Sequence, residues 1–249
     1  MRRWSVEIKN LTVSYGSNVV FKNLDVGFER ARMTGIIGPN GAGKSTLIKS
    51  SLGLIAKKQG EITHGDVELS AQPEKIAYVE QRAALDLSFP INVFDVILTG
   101  TYGRLGLFHK PGVKEQKAVQ SALEQLELVE FAQRQIGELS GGQLQRVFVA
   151  RAIVQDAEVV ILDEPFVGID MASEAIIVRI LKQWSESGKT IIVVHHDLNK
   201  VKTYFDNLVI MNHGIVASGK VEETYNLENI SKAFSEDLGE VLFDQGGVR

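Results

Sequence analysis

The chain has 249 residues, 44% of them hydrophobic and 23% charged, an ordinary globular balance with length enough for a sizeable core. A net charge of −4 offers no basic field for nonspecific nucleic-acid binding, and the absence of cysteine excludes disulfides and thiolate metal sites. No run approaches the ~18 apolar residues of a membrane helix, and MRRWSVEIKN has no apolar stretch after its arginines, so neither a membrane span nor a signal peptide is expected.

Val6, Ile8, Leu11 and Val13 mark an opening strand region, and Val19 to Phe28 a second. Met33 to Ile37 is a short apolar run ending in a Gly-rich loop, after which Ser45 to Ile55 reads as a helix. Lys75 to Glu80 is another short strand. The chain then changes character. Val93 to Leu98, Val113 to Phe131 and Gly141 to Gln155 are predicted helices, the second carried by Val119, Leu123 and Leu126 near helical spacing. Between the first two, Gly100 to Gly112 is a Gly- and Pro-marked loop.

Strand–helix alternation resumes with Val159 to Leu162, an amphipathic helix over Ser173 to Trp184, and Thr190 to Val194. Both strands are β-branched runs of the kind buried in parallel sheets. Asn207 to Gly219 predicts a closing hairpin that turns at Asn212, His213 and Gly214. Residues beyond Gly219 carry no assignment, and neither a repeat nor a low-complexity segment occurs. The expected architecture is one domain over residues 1–249. Its α/β core comprises 1–85 and 156–230, its helical subdomain 86–155 and its C-terminal tail 231–249.

GPNGAGKST (Gly38, Pro39, Asn40, Gly41, Ala42, Gly43, Lys44, Ser45, Thr46) lies in the strand–loop–helix context that a phosphate-binding loop requires. Its glycines let successive N–H groups turn inward towards phosphate oxygens. Lys44 adds charge at the β- and γ-phosphates, Ser45 supplies a hydroxyl ligand for Mg²⁺, and the following helix N-terminus favours the anion. VVILDEP delivers Asp163 and Glu164 at the C-terminal end of a strand, where ligands bind in α/β sheets. Asp163 suits the Mg²⁺ shell and Glu164 the attacking water, and strand alternation predicts that they face apart. LSGGQ presents Ser140, Gly141, Gly142 and Gln143 at a helix start, a second anion-capping shape. One chain with one loop of each kind points to two chains meeting face to face with ATP between them.

These motifs, in this order and at this spacing, make the chain resemble the ATP-binding subunits of ABC transporters over almost its whole length. The resemblance implies an ABC-type P-loop nucleotide-binding domain with a RecA-like core, an N-terminal antiparallel β region and a helical subdomain. It assigns Gln81 to the Q-loop contact with Mg²⁺ and the lytic water, Asp170 to the D-loop, and Tyr15 to adenine stacking. Val167, Gly168 and Ile169 depart from the common D-loop form, so Asp170 alone carries over firmly. In HHDL the switch histidine directly precedes Asp-Leu, which selects His196 as the γ-phosphate sensor and leaves His195 a structural neighbour on the opposite face. His64, His109 and His213 form no ligand cluster and read as surface residues.

By the same resemblance, MgATP closes a head-to-tail homodimer in which Ser140 and Gly142 of one chain complete the site built by Lys44 and Glu164 of the other. Hydrolysis then drives integral membrane permease subunits from the cytoplasmic face of the membrane, where the chain is peripheral. Phe89 to Gly100 is where the family docks a permease helix, and its apolar residues Phe89, Val93, Phe94, Val96 and Ile97 fit a core equally well. The stretches Phe89 to Phe108, Arg134 to Gln143, Leu162 to Asp170 and Val193 to Val201 are similar to the ATPases of bacterial manganese, zinc and iron importers, and lean towards manganese. In such systems an extracytoplasmic metal-binding protein and the permease select the cargo. The alternative is a soluble ABC-type ATPase that acts as an assembly factor, as in iron–sulfur cluster biogenesis. A nucleic-acid ATPase of the same superfamily is disfavoured by the charge and by the lack of heptad or zinc-module insertions.

Overall fold

The computed structural model describes residues 4–80, 89–105, 109–235 and 242. In chain order its elements begin with β1 (Trp4–Tyr15), β2 (Asn18–Glu29), β3 (Met33–Ile37), α1 (Lys44–Ser51), β4 (Gln59–His64), β5 (Val67–Glu68) and β6 (Ile76–Val79). Next come α2 (Val93–Thr99), α3 (Tyr102–Leu105), α4 (Val113–Gln125), α5 (Gly141–Gln155), β7 (Val159–Asp163) and α6 (Met171–Glu186). The series closes with β8 (Thr190–Val194), α7 (Val201–Tyr204), β9 (Asn207–Met211), β10 (Ile215–Lys220), α8 (Val221–Thr224) and α9 (Leu227–Ala233). Two compact units result, one of residues 1–72 with 190–249 and one of residues 73–189.

In the first unit, β2, β1, β4 and β5 form an antiparallel sheet in that order. Val6, Ile8, Leu11 and Val13 all face its core, although their spacing is not strictly two. A bulge at Asn10, whose φ is 51°, shifts the register between Ile8 and Leu11 and returns the apolar face inward. On β2, Phe21, Leu24, Val26 and Phe28 complete that face. The second layer of this unit is parallel. β3 pairs with β8 and with β9, and β10 returns antiparallel to β9 as the expected hairpin. Every residue of β3, β8 and β9 is buried, which is why their sequences run apolar rather than alternate.

The helix predicted from Ser45 to Ile55 stops at Ser51, because Leu54 N–H turns back to the Lys49 carbonyl at 2.8 Å instead of continuing the ladder. β4 and β5 were not expected from the sequence. In β4 only Ile62 is buried, so the strand carries no alternating signal. The unassigned residues beyond Gly219 include α8 and α9, which Val221, Ile230 and Ala233 anchor in the core.

In the second unit, β6 and β7 run parallel, with Ile76 opposite Val159 and Val79 opposite Leu162. α5 is its central helix, burying Val147, Val149 and Ala150 completely. Full burial of one such valine contributes about 1.5–3 kcal/mol. The helix predicted to reach Phe131 ends at Gln125, where Glu127 adopts a left-handed φ of 56° and a short 3₁₀ turn follows over Val129–Phe131. The Gly100 to Gly112 loop contains one helical turn, α3. It is held because Arg104 donates to the Val154 carbonyl at the end of α5 and pairs with Asp156 at 3.5 Å. Val93, Val96 and Ile97 of α2 are core residues, whereas Phe94 is half-buried and Phe89 exposed.

Candidate nucleotide site

In the first unit the loop leaving β3 turns from strand to helix over Gly38–Gly43. Gly43 caps α1 with a φ of 99°, and a Cβ there would lie 2.4 Å from the Phe21 ring, so both the dihedral and the packing require glycine. Lys44 is 7% exposed, and its Nζ donates to the carbonyls of Gly38 at 2.8 Å and Pro39 at 3.0 Å. The ammonium is thus folded into the loop, at the N-terminal end of α1. Asn40, Gly41 and Ser45 are exposed, and Ala42 is buried beneath the loop. Thr46 is half-buried on α1, and Tyr15 is 53% exposed at the end of β1. A curled, outward-open loop with a cation inside and a helix start behind it fits a polyphosphate.

Beyond β8, outside the strand whose alternation predicted opposite faces, His195 and His196 differ in exposure. His195 is 1% exposed, in ring contact with Phe205 and Tyr204, and His196 is exposed. His195 N–H continues the ladder to the Ile36 carbonyl at 3.0 Å, which holds the pair at the C-terminal end of the strands. His109 and His213 are exposed, but His64 is half-buried, with Nδ1 2.8 Å from the Ser5 carbonyl oxygen.

In the second unit, Asp163 ends β7 and is 5% exposed. Glu164 departs from the expected alternation. It lies outside the strand with a left-handed φ of 48°, so the turn, not the pleat, redirects its carboxylate. A left-handed non-glycine residue costs about 1–3 kcal/mol, and such strain clusters at functional sites. Sequence reading missed Tyr78 on β6. Its hydroxyl is buried without a hydrogen-bond partner, and burial first, then the charges of Asp163 and Glu80, push the phenol far above its usual range. Gln81 lies outside the described residues.

Ser140 and Gln143 cap α5 reciprocally. Gln143 N–H donates to Ser140 Oγ at 3.3 Å and Ser140 N–H to Gln143 Oε1 at 2.8 Å, an arrangement that contributes about 1 kcal/mol. Ser140 is exposed, Gly141 half-buried and Gly142 buried. Asp170 caps α6, and the Ser173 N–H, then the Ser173 hydroxyl, hold its carboxyl below the usual carboxylate range. The helix predicted from Ser173 thus begins earlier, at Met171, with Asp170 as its cap, and an Asp followed three residues later by a helix-first-turn Ser is a recognisable cap pattern. Among the described residues no group of three His, Cys, Asp or Glu is placed to hold a metal ion, and no helix is long and apolar enough to cross a membrane.

Residues 21–167 match the family described as ABC transporter. The chain belongs to the ABC transporter family. It is 53% identical over 231 residues to the manganese transport system ATP-binding protein MntB of Listeria monocytogenes, a match spanning 93% of this chain and 96% of that one. Against the zinc transport system ATP-binding protein TroB of Treponema pallidum it is 43% identical, over 98% of this chain and 91% of the relative. The ADP conformation of an ATP-binding cassette of an ABC transporter, 24% identical, superposes with a TM-score of 0.81 over 94% of this chain and 98% of its own. A dimeric cassette in a post-hydrolysis state with ADP and Pi is 26% identical and superposes at 0.74, over 87% and 98%. The expected fold class, an ABC nucleotide-binding domain with antiparallel and parallel strand layers, is borne out. The chain is an ATP-binding subunit of this family, and its reaction is ATP hydrolysis coupled to transport.

Proposed function

We propose that this ABC subunit powers uptake of a divalent transition-metal ion, manganese before zinc or iron, through permease subunits at the cytoplasmic face of the membrane. The observation that carries the reading is the 53% identity to a manganese transport ATP-binding protein across nearly the full length of both chains. That likeness favours transport over the soluble assembly-factor alternative.

The residues support a division of labour. Gly38 to Thr46 hold the triphosphate, with Lys44 neutralising its charge, and Tyr15 stacks on the base. Glu164 polarises the attacking water, with Gln81 and His196 orienting the water and the γ-phosphate. Oxygen donors from Ser45, Gln81 and Asp163 suit Mg²⁺, a hard cation that neutralises developing phosphate charge when bound. Ser140, Gly141, Gly142 and Gln143 reach the nucleotide of a second copy, and Asp170 meets that copy beside them. Exposed Val167 and Met171, the latter 84% exposed, flank Asp170 and suit burial against that second chain. The helical stretch Phe89 to Gly100 serves the permease, and an extracytoplasmic metal-binding protein acts only through that permease.

The test is cellular metal content in a deletion strain under manganese limitation, with no redundant importer. Lowered manganese, restored by the wild-type gene and not by Glu164→Gln, is expected. Unchanged manganese, zinc and iron removes the cargo assignment.

A further inference from the structure

Ser140 to Gln143 of the LSGGQ signature turn and the Asp170 loop are physically one piece in this chain. Asp170 Oδ1 accepts the Ser173 N–H at 2.8 Å, and Oδ2 accepts the Ser173 hydroxyl at 2.9 Å. Both carboxylate oxygens are therefore fixed by a residue that is 3% exposed. A Cβ on Gly142 would lie 2.4 Å from Asp170 Oδ2 and 2.3 Å from Ser173 Oγ. The missing side chain at Gly142 is what lets the capped turn rest on the signature backbone.

The same two helices are joined again further along. Arg146 of α5 donates to the Leu126 carbonyl at 2.9 Å, and its charge also favours the ionised Asp170. Arg179 of α6 donates to the Gln125 carbonyl at 3.2 Å. Both guanidiniums thus grip the C-terminal carbonyls of α4, where a cation is favoured. With α5 and α6 held there, the Ser173 hydroxyl decides how Asp170 is seated on Gly142 at the helix starts.

We infer that Ser173 is a positioning residue for ATP hydrolysis: by holding Asp170 against Gly142 it makes the signature turn and the Asp170 loop one rigid surface for a second copy of this chain. The inference rests on the head-to-tail reading proposed above. It predicts a defect in dimer closure and none in nucleotide binding by the monomer. Removal of the hydroxyl leaves the backbone cap in place and frees one carboxylate oxygen to swing away from Gly142.

The experiment uses the full chain carrying Glu164→Gln, with ATP-dependent dimerisation followed by sedimentation and ATP affinity by a fluorescent analogue below the dimerising concentration. Ser173→Ala should weaken the ATP dimer about tenfold, the scale of one hydrogen bond to a charged group, with monomer affinity unchanged within twofold. In an Asp170→Ala background, Ser173→Ala should add nothing, because the serine acts through the aspartate. A parent that does not dimerise with ATP overturns the head-to-tail reading and this inference with it. A parent that dimerises, with Ser173→Ala indistinguishable from it, overturns the inference alone. So does additivity in the double-mutant cycle, an equal loss of monomer affinity, or loss of the fold, since each assigns Ser173 a purely structural or independent role.

Discussion

Gly43 and Phe21 are mutually dependent: a Cβ on Gly43 would stand 2.4 Å from the Phe21 ring, and Phe21 is itself 2% exposed in the core of the first unit. The phosphate loop is thus seated on a core aromatic of β2. Gly43→Ala should destabilise the chain by about 1–3 kcal/mol through overpacking, with added strain at a φ of 99°. Denaturant midpoints and ATP-analogue binding measure the two consequences. Adding Phe21→Leu should relieve the overpacking and leave the dihedral strain, so stability recovers in part while nucleotide affinity stays low. Full recovery of both would show that packing alone, and not backbone conformation, demands glycine there.

Glu164→Gln keeps the side-chain shape and loses the charge proposed to polarise water. Hydrolysis should fall by roughly 10²–10⁴-fold with ATP binding intact, and an ATP-trapped dimer should elute early in size-exclusion chromatography. Lys44→Ala should weaken nucleotide binding itself, since it removes the ammonium held inside the loop by the Gly38 and Pro39 carbonyls. Wild-type turnover in a verified Glu164→Gln sample would sink the role given to that carboxylate.

Features written in contiguous residues were legible from sequence. The Gly38 to Thr46 loop, the capped start of α5 at Ser140 and the hairpin around His213 each carry their turn chemistry locally. What escaped was set by tertiary context. β4 is a mostly exposed strand with one buried side chain, Ile62, and has no periodicity to read. Glu127 ends α4 in a left-handed conformation without the Gly or Pro that usually announces one. Glu164 likewise takes a conformation its residue type does not advertise. The seating of Asp170 on Gly142 depends on two helix starts far apart in the chain, so neither motif alone contains it.

The proposed division of the site between two chains has a mixing test. A Lys44→Ala chain and a Ser140→Arg chain are each expected to be inactive alone. Their mixed dimer holds one site with both lesions and one with neither, and partial ATPase recovery is expected. Cysteines placed near Ser45 and Ser140 give an independent readout. ATP should promote cross-links between chains, and cross-links confined within single chains count against the head-to-tail arrangement.

Asp170 offers a pH measurement. Its carboxyl is held below the usual carboxylate range, first by the Ser173 N–H and then by the Ser173 hydroxyl. A depressed folded-state pKa means that the cap's contribution is present above the ordinary value of about 3.9 and is lost as pH falls through the folded one. The cap is therefore insensitive to pH near neutrality. Ser173→Ala deletes the second cause and keeps the first, so an NMR titration should show the Asp170 pKa rising part of the way to its ordinary value. An unmoved titration would mean that the hydroxyl does not hold the carboxylate in solution.

The last prediction concerns cargo. No Cys is present, and the described residues contain no His, Cys, Asp or Glu group arranged for a metal ion. His109 and His213 stand exposed, and His64 is engaged with the Ser5 carbonyl. Among the described residues the proposed Mn²⁺ cargo therefore has no donor set comparable to the multiple oxygen or nitrogen ligands it needs. Calorimetric titration of Mn²⁺ into nucleotide-free protein should show no stoichiometric micromolar site. With ATP present, Mn²⁺ should bind in place of Mg²⁺, through the Ser45, Gln81 and Asp163 oxygens, and Asp163→Ala should abolish that heat. A tight site in nucleotide-free protein that survives Asp163→Ala would mean that the chain handles the metal itself, against the proposed reading in which partner proteins select it.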